Sequence, residues 1–532
     1  MSQPDIRSDA NMAVKNGILA SRRLQAVMLA ALMVAGLALR LRGGDVRILN
    51  HDEAFTWRVA SRPIRTMVQQ VAGDTHPLLH FAVIKGVLLC GGDSPLALRV
   101  PSIMIGVATI WAVFALSLAA IRYAEGRDGP PSRRAAWAGL AAAAYVTLHP
   151  YHISVSGTAR MYSFAAFFAA LSSWLLIEAL RGNRPSRWRY SAYAISVALM
   201  MHSHNFGVFI FFGQVLFASW EAIRQGMNAA RLRALVEAGS LVFLLYLPWL
   251  PSFLAQARRV HEGFWIPPLT GETFGELLVN VVFGRDVLDR ATGVVLACVV
   301  LLALMSTVFR VGGARLWILP VQVLTVWLLA TLISTMGGRP ILQERYLILA
   351  CPAFAGWFAL AITTTRDWFP RSLLTLNMLV PTGLALSTML ASPPTPPLST
   401  LEAIAFLRDV HQPGDVVFVN RPGTVNVFRY YQSRTLGTQL DVRYVLEPNE
   451  LKRIGQASHL SSFDHGEWIA KAQLAKLDAR RLWVVNRACD PQPEDWTRQE
   501  EVTFGTSRGE FSSGIQIVCY SKFEGTNRIV RL

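Results

Sequence analysis

The feature that most constrains this chain is a series of about eleven apolar windows, near residues 24–41, 101–121, 136–150, 161–180, 190–203, 205–223, 232–250, 291–309, 316–336, 346–364 and 372–390. A hydrocarbon core about 30 Å thick is crossed by roughly 20 apolar residues in a helix, so these windows predict an α-helical polytopic membrane protein. The composition agrees. Hydrophobic residues make up 52% of the chain, charged residues 16%, and mean hydropathy is +0.34, too apolar for a set of soluble domains. The boundary around His202-Ser203-His204 can be drawn in more than one way.

The first window is too long, and too poorly followed by a small-residue cleavage site, for a removable signal; it reads as an anchor with the N-terminus inside. The connectors that this topology puts inside are arginine-rich: Arg22-Arg23, Arg133-Arg134, Arg181 to Arg189, Arg231 with Arg233, and Arg310 with Arg315. That is the positive-inside bias, and an odd number of spans then carries the tail outside. Much of the net charge of +16 is therefore topological and does not imply nucleic-acid binding. Five cysteines are too few for a disulfide scaffold, and none has zinc-ligand spacing. Cys489 and Cys519 share the tail, where an oxidising compartment permits a disulfide without requiring one.

The outside loop at residues 42–100 is far longer than its counterparts, and long ordered loops are usually functional. Ile64, Met67, Val68 and Val71 recur at helical spacing beside Arg62 and Arg65, which predicts a helix lying in the membrane interface. The apolar stretch from Leu78 to Leu89 is too short to span and is expected along the same surface. A second long outside segment, residues 251–290, carries Arg258-Arg259, Trp265, Pro267-Pro268 and Arg285-Asp286. The stiff spacer Pro393-Pro394-Thr395-Pro396-Pro397 then separates a membrane domain, residues 1–390, from a soluble domain, residues 391–532. In that tail an amphipathic helix is expected over 401–410 and strands over 415–420 and 481–487, giving a small α/β or α+β domain without a catalytic motif. No internal repeat of the kind transporters show is visible.

Four clusters carry chemistry, each with a structural reading beside the functional one. Asn50-His51-Asp52-Glu53 puts two carboxylates just past the first span, where charge is costly unless hydrated or paired. The alternative makes Asp52 an N-cap of a helix starting near Ala54, with Glu53 in its first turn. Asp74-Thr75-His76-Pro77 marks a boundary between two surface helices, and as a structural feature would be another N-cap followed by proline. Ala159-Arg160-Met161-Tyr162 and Gln343-Glu344-Arg345-Tyr346 fall at the outside ends of spans, where an arginine fork with tyrosine suits a phosphate at headgroup depth, or where both residues anchor the interface. His202 and His204 flank an outside turn and read as hydrogen-bonded interfacial residues, since no third metal ligand is spaced with them.

Over residues 20–365 this pattern resembles the GT-C class of membrane glycosyltransferases, particularly bacterial relatives of the dolichyl-phosphate-mannose protein mannosyltransferases and of the lipid A aminoarabinose transferase. The elements that carry the resemblance are Asp52-Glu53 in the long first loop, Asp74-Thr75-His76-Pro77, Arg99 with Pro101-Ser102, Ala159-Arg160-Met161-Tyr162, and Glu344-Arg345-Tyr346-Leu347. Leu78 follows Pro77 where relatives often carry a second proline, and the tail matches nothing in the class.

The resemblance implies a multi-pass enzyme of the bacterial cytoplasmic membrane, with an extracytoplasmic C-terminal domain. It would move a sugar from a polyprenyl-phosphate carrier to an unspecified acceptor, a glycan, lipid or protein, at the outer face. By resemblance, Asp52 is the candidate acid or base with Glu53 beside it, and Asp74 and His76 shape the same pocket. Arg160 and Arg345, next to Tyr162 and Tyr346, would hold the carrier phosphate. The residue types suit the reaction, because an acceptor must lose a proton and a lipid phosphate must leave. Whether a divalent metal takes part is not legible. The competing readings are a transporter or lipid flippase, which places its charges at the bilayer midplane, and a non-catalytic scaffold or sensor.

Overall fold

The computed structural model describes residues 6–126, 131–181, 185–262, 266–285, 288–310, 314–337, 340–365, 367–392, 398–419, 422–435, 441–446, 468–470, 481–486, 497–504 and 515–521. Cys489 lies outside them, so the disulfide with Cys519 that an oxidising compartment would permit does too.

Each of the eleven apolar windows falls on a helix. Eight of the helical segments among the described residues are long and apolar enough to cross a membrane, and a ninth span is formed if the pair Ala229–Tyr246 and Leu250–His261, bent by 73°, is counted as one. The windows at 136–150 and 190–203 are the helices Arg133–Leu148 and Arg187–Ser203, of 16 and 17 residues, short for a crossing by length alone. The chain is a multi-pass membrane protein.

Two compact units emerge from its contacts. One comprises Met1–Arg42, Val100–Leu250 and Ile266–Ser392; the other comprises Gly43–Arg99, Pro251–Trp265 and Pro393–Leu532.

The first unit is the helical bundle. Its interior is built on small residues: along Arg133–Leu148, Ala135, Ala138, Ala142 and Ala143 are fully buried. A Cβ on Gly139 would sit 2.8 Å from the Phe114 ring. Without a hydrophobic driving force between helices in lipid, such close backbone approach supplies the packing. Hydrogen bonds add to it. Gln214 donates to Ser172 Oγ at 2.8 Å and to Ser173 Oγ at 3.0 Å, and Ser173 donates to Gln322 Oε1 at 2.8 Å, which ties three helices. By contrast Leu24, Val27 and Val34 on the first span are exposed, as a lipid-facing surface requires.

Arg40, 1% exposed, ends the first span by joining separate elements. It donates to Gly36 O, to Val146 O, to Ser156 Oγ and to His152 Nδ1, the last at 2.7 Å. Val146 lies in the last turn of its helix, where a cation meets unsatisfied carbonyls. Gly106 makes room for this contact, since a Cβ there would come within 2.5 Å of Ser156 Cβ.

The second unit contains the first-loop helices His51–Ser61, Ile64–Gly73 and Leu79–Leu89, together with the tail. In Ile64–Gly73 the predicted apolar stripe is partly used: Met67 and Val71 are buried and Ile64 is exposed. The tail begins with helix Leu398–Val410 and forms strands β1 (Val416–Val419), β2 (Asp441–Leu446), β3 (Trp468–Ala470), β4 (Arg481–Asn486), β5 (Thr497–Phe504) and β6 (Ile515–Ser521). Their order is β3-β2-β1-β4-β6-β5. The β1–β2, β1–β4 and β2–β3 pairs are parallel, and β6 runs antiparallel between β4 and β5. This is an α/β sheet with an antiparallel edge. Phe418, Leu482 and Trp483 fill its core. At its end Arg481 Nη2 meets Asp415 Oδ2 at 2.6 Å, and Trp483 Nε1 donates to the same oxygen at 3.0 Å.

Candidate active site

Within the second unit the acidic turn is organised by Glu53. Asn50, not Asp52, is the N-cap of helix His51–Ser61: its Oδ1 accepts from Glu53 N, and Glu53 Oε2 accepts from Asn50 N, both at 2.9 Å. This is a capping box, satisfying two otherwise orphaned donors reciprocally. The N-cap reading of Asp52 is thereby corrected, and Asp52 occupies the first helical turn, half-buried.

Glu53 is 1% exposed and is gripped from the other side by Arg99. Arg99 Nε reaches Glu53 Oε1 and Arg99 Nη2 reaches Glu53 Oε2, each at 2.8 Å. The remaining donors of Arg99 go to Gly44 O, Arg47 O and Ile48 O at 2.7 to 2.9 Å. All five guanidinium donors are therefore used, and the loop is wrapped around them. The geometry makes the Glu53 carboxylate a fastening; nothing in the sequence separated its role from that of Asp52.

Asp74 is not an N-cap either. It is the C-cap of Ile64–Gly73, and the next helix starts four residues beyond Thr75, at Leu79. Its side chain is buried and its Oδ2 lies 3.1 Å from His76 Nδ1. Helix Leu250–Glu262 secures this turn, with Gln256 Nε2 donating to Val71 O at 3.0 Å and Arg259 Nη2 to Ala72 O at 2.6 Å. Asp74 and His76 thus form a fixed carboxylate–imidazole pair.

In the first unit the two arginine motifs are brought together by their tyrosines. Tyr162 and Tyr346 have ring centroids 6.4 Å apart. His204 packs between these motifs, 5.9 Å from Tyr162 and 4.8 Å from Tyr346. Its Nδ1 accepts from Phe206 N at 3.1 Å, which fixes the ring. His204 was visible in the sequence only as a turn histidine, because its partners are remote in the chain. Arg160 is 3% exposed, and its carbonyl accepts from Ser102 Oγ at 2.9 Å. Arg345 lies 5.9 Å from the Tyr346 ring centroid, in a 3-10 turn over Glu344–Ala350.

Glu344 anchors that turn. It takes Arg285 Nε on both oxygens at 3.0 Å, and Tyr151 OH donates to its carbonyl. Pinning Glu344 fixes the direction in which its neighbour Arg345 leaves the backbone. A buried arginine, a second arginine, two tyrosines and a fixed imidazole are the donors a phosphate group takes. Among the described residues no group of three or more His, Cys, Asp or Glu is placed to hold a metal ion.

No protein-family model and no curated protein matches this sequence. Solved structures do. The chain is similar to ArnT from Cupriavidus metallidurans bound to undecaprenyl phosphate, at 12% identity and TM-score 0.57, over 93% of this chain and 97% of that one. It is similar to the oligosaccharyltransferase AglB from Archaeoglobus fulgidus in complex with an inhibitory peptide and a dolichol-phosphate, at 13% identity and TM-score 0.53, over 87% and 69%. It also matches the arabinofuranosyltransferase AftD from Mycobacteria, at 14% identity and TM-score 0.50, over 95% and 40%. A backbone shared over almost its whole length at such low identity gives this chain the fold of the GT-C membrane glycosyltransferases.

Proposed function

We propose that this protein is a glycosyltransferase that moves a sugar from a polyprenyl-phosphate carrier to an acceptor at the outer face of the bacterial cytoplasmic membrane, with its C-terminal domain on that side. The observation that carries this reading is the end-to-end similarity of the backbone to ArnT, whose structure holds undecaprenyl phosphate. Asp52 takes the proton from an acceptor hydroxyl or amine as it attacks the anomeric carbon. The bond between that carbon and the carrier phosphate breaks, and the phosphate keeps the electron pair. Arg160 and Arg345 balance the charge on the leaving phosphate, and Tyr162 and Tyr346 orient it. Glu53 holds the Asp52 turn through Arg99 and Asn50. Asp74, paired with His76, is the next candidate for the proton.

Lipid analysis of a deletion strain tests the proposal. A polyprenyl-phosphate sugar should accumulate, be open to impermeant periodate in spheroplasts, and disappear when the wild-type gene is restored. A flippase instead traps the same lipid on the inner leaflet, protected from periodate. An unchanged carrier-sugar pool overturns both readings.

A further inference from the structure

We infer that helix Pro422–Thr435 of the tail is a positioning element for the Asp52 turn, acting through Tyr431, Tyr430 and Arg434, which makes the C-terminal domain a working part of the transfer reaction. The inference rests on the assignment of Asp52 as the base.

The observation is where this helix packs. It lies against helix His51–Ser61 and fastens two separate segments of the first loop. On one side Tyr431 OH accepts from Leu49 N at 2.9 Å. Leu49 is wholly buried and immediately precedes Asn50, the cap from which the Asp52 turn departs. On the other side Tyr430 OH donates to Asp93 O at 2.7 Å, and Arg434 pairs with the Asp93 carboxylate while lying 3.7 Å over the Tyr430 ring. Trp57 closes the assembly: its Nε1 donates to Asp93 Oδ1 at 2.8 Å, and its ring meets Tyr430 edge-on at 5.1 Å. Further along, Arg58, itself buried, donates to Asn426 Oδ1 at 3.1 Å.

Asp93 stands six residues before Arg99, and Leu49 four residues before Glu53. The tail helix therefore grips the chain on both sides of the Glu53–Arg99 bridge. Nothing about folding the tail alone calls for a tyrosine hydroxyl on Leu49 N, since that amide belongs to the loop. Its effect is to fix the height and direction at which helix His51–Ser61 starts. A general base must sit within hydrogen-bond reach of its proton, and a displacement of about 1 Å costs up to two orders of magnitude in rate, so control of that start is control of turnover.

The test uses the full chain in detergent, with lipid extract of the deletion strain as donor. Tyr431→Phe keeps the ring and removes the hydroxyl. Turnover should fall about fivefold through the looser start of helix His51–Ser61, while KM for the carrier stays near wild type and the melting temperature drops by no more than a few degrees. In an Asp52→Asn background the same change should cost nothing further, because the group being positioned is gone. Hydrogen exchange at Leu49 should speed up in either background. If Asp52→Asn destroys transfer while Tyr431→Phe turns over at the wild-type rate, the positioning role fails and the base assignment stands. If the Tyr431→Phe loss is multiplicative with Asp52→Asn, or follows the amount of folded protein, the residue is only structural. Wild-type transfer by Asp52→Asn overturns the base assignment and the positioning role with it.

Discussion

Glu53→Gln separates fastening from chemistry at the acidic turn. The two side chains of the Glu53–Arg99 pair are each 2% exposed, so the pair is out of water. Removing one partner of a buried pair costs about 3–5 kcal/mol, because the other charge stays behind uncompensated. Glutamine has the same size and keeps one oxygen, which can serve either Asn50 N or one Arg99 donor. Its amide nitrogen then faces a guanidinium N–H, donor against donor. The lower end of the range, about 3 kcal/mol, is the expectation. For a unit of this size that lowers the melting transition by roughly 6–12 °C. Thermal unfolding of the full chain in detergent, followed by loss of protection of the 44–60 segment from protease, reads it directly. Transfer per folded molecule should drop modestly. Arg99→Met should be at least as damaging, since it also frees Gly44 O, Arg47 O and Ile48 O. A Glu53→Leu and Arg99→Met double variant should lose less than the sum of its parts. The reasoning is refuted if Glu53→Gln melts with the wild type but loses transfer by two orders of magnitude or more, which would make Glu53 itself the base.

Asp52→Asn should leave melting near wild type and lower transfer by about two to four orders of magnitude, the usual range for a lost general base; transfer at the wild-type rate by purified protein moves the assignment to Asp74. Arg345→Met should weaken binding of undecaprenyl phosphate about tenfold or more while the fold is kept, and titration calorimetry with unchanged affinity would remove Arg345 from the phosphate site. For the tail, burial alone would push the Asp415 carboxyl up, but Arg481, Gln412 N and Trp483 together hold it below its ordinary value. The stability this supplies is present above the unfolded carboxylate value of about 3.9 and is lost as pH falls below that, through the folded value. Pepsin cleavage of the full chain should therefore rise across that acid window, and Asp415→Asn should flatten the response; an unchanged acid profile would show that another group governs it.

Much of the fold was legible because its signals are local. An apolar run of bilayer length can satisfy its backbone only as a helix, so each window marked one. The tail strands at 416–419 and 481–486 were likewise marked by β-branched runs. The errors at the acidic loop were errors of cap position. Asn50 with Glu53 three residues later is a capping-box pattern, which the alternative that makes Asp52 the cap passes over. The capping alternative at Asp74 likewise points to the helix after it, whereas Asp74 closes the helix before it. What no local pattern encodes is partnership across the chain. Arg99 is 46 residues from Glu53, His204 is 142 from Tyr346, and Tyr431 is 382 from Leu49. Such pairs depend on which surfaces tertiary packing brings together.

The adjacency of Asp52 and Glu53 shows how packing assigns roles that chemistry leaves equivalent. Successive residues on a helix diverge by about 100°, so two neighbouring carboxylates cannot serve one partner. The capping box turns Glu53 back toward Asn50 and onto Arg99, where both its oxygens are taken. That fixes the rotation of the first turn, and with it the direction in which Asp52 leaves the helix. A capping aspartate would have been spent on its own backbone. The fold gives the cap to Asn50 and the buried ion pair to Glu53, so the two neighbours of the turn carry its fastening. The catalytic reading of Asp52 therefore draws its physical support from its neighbours: they hold the turn rigidly enough for a carboxylate placed there to meet a substrate in one orientation.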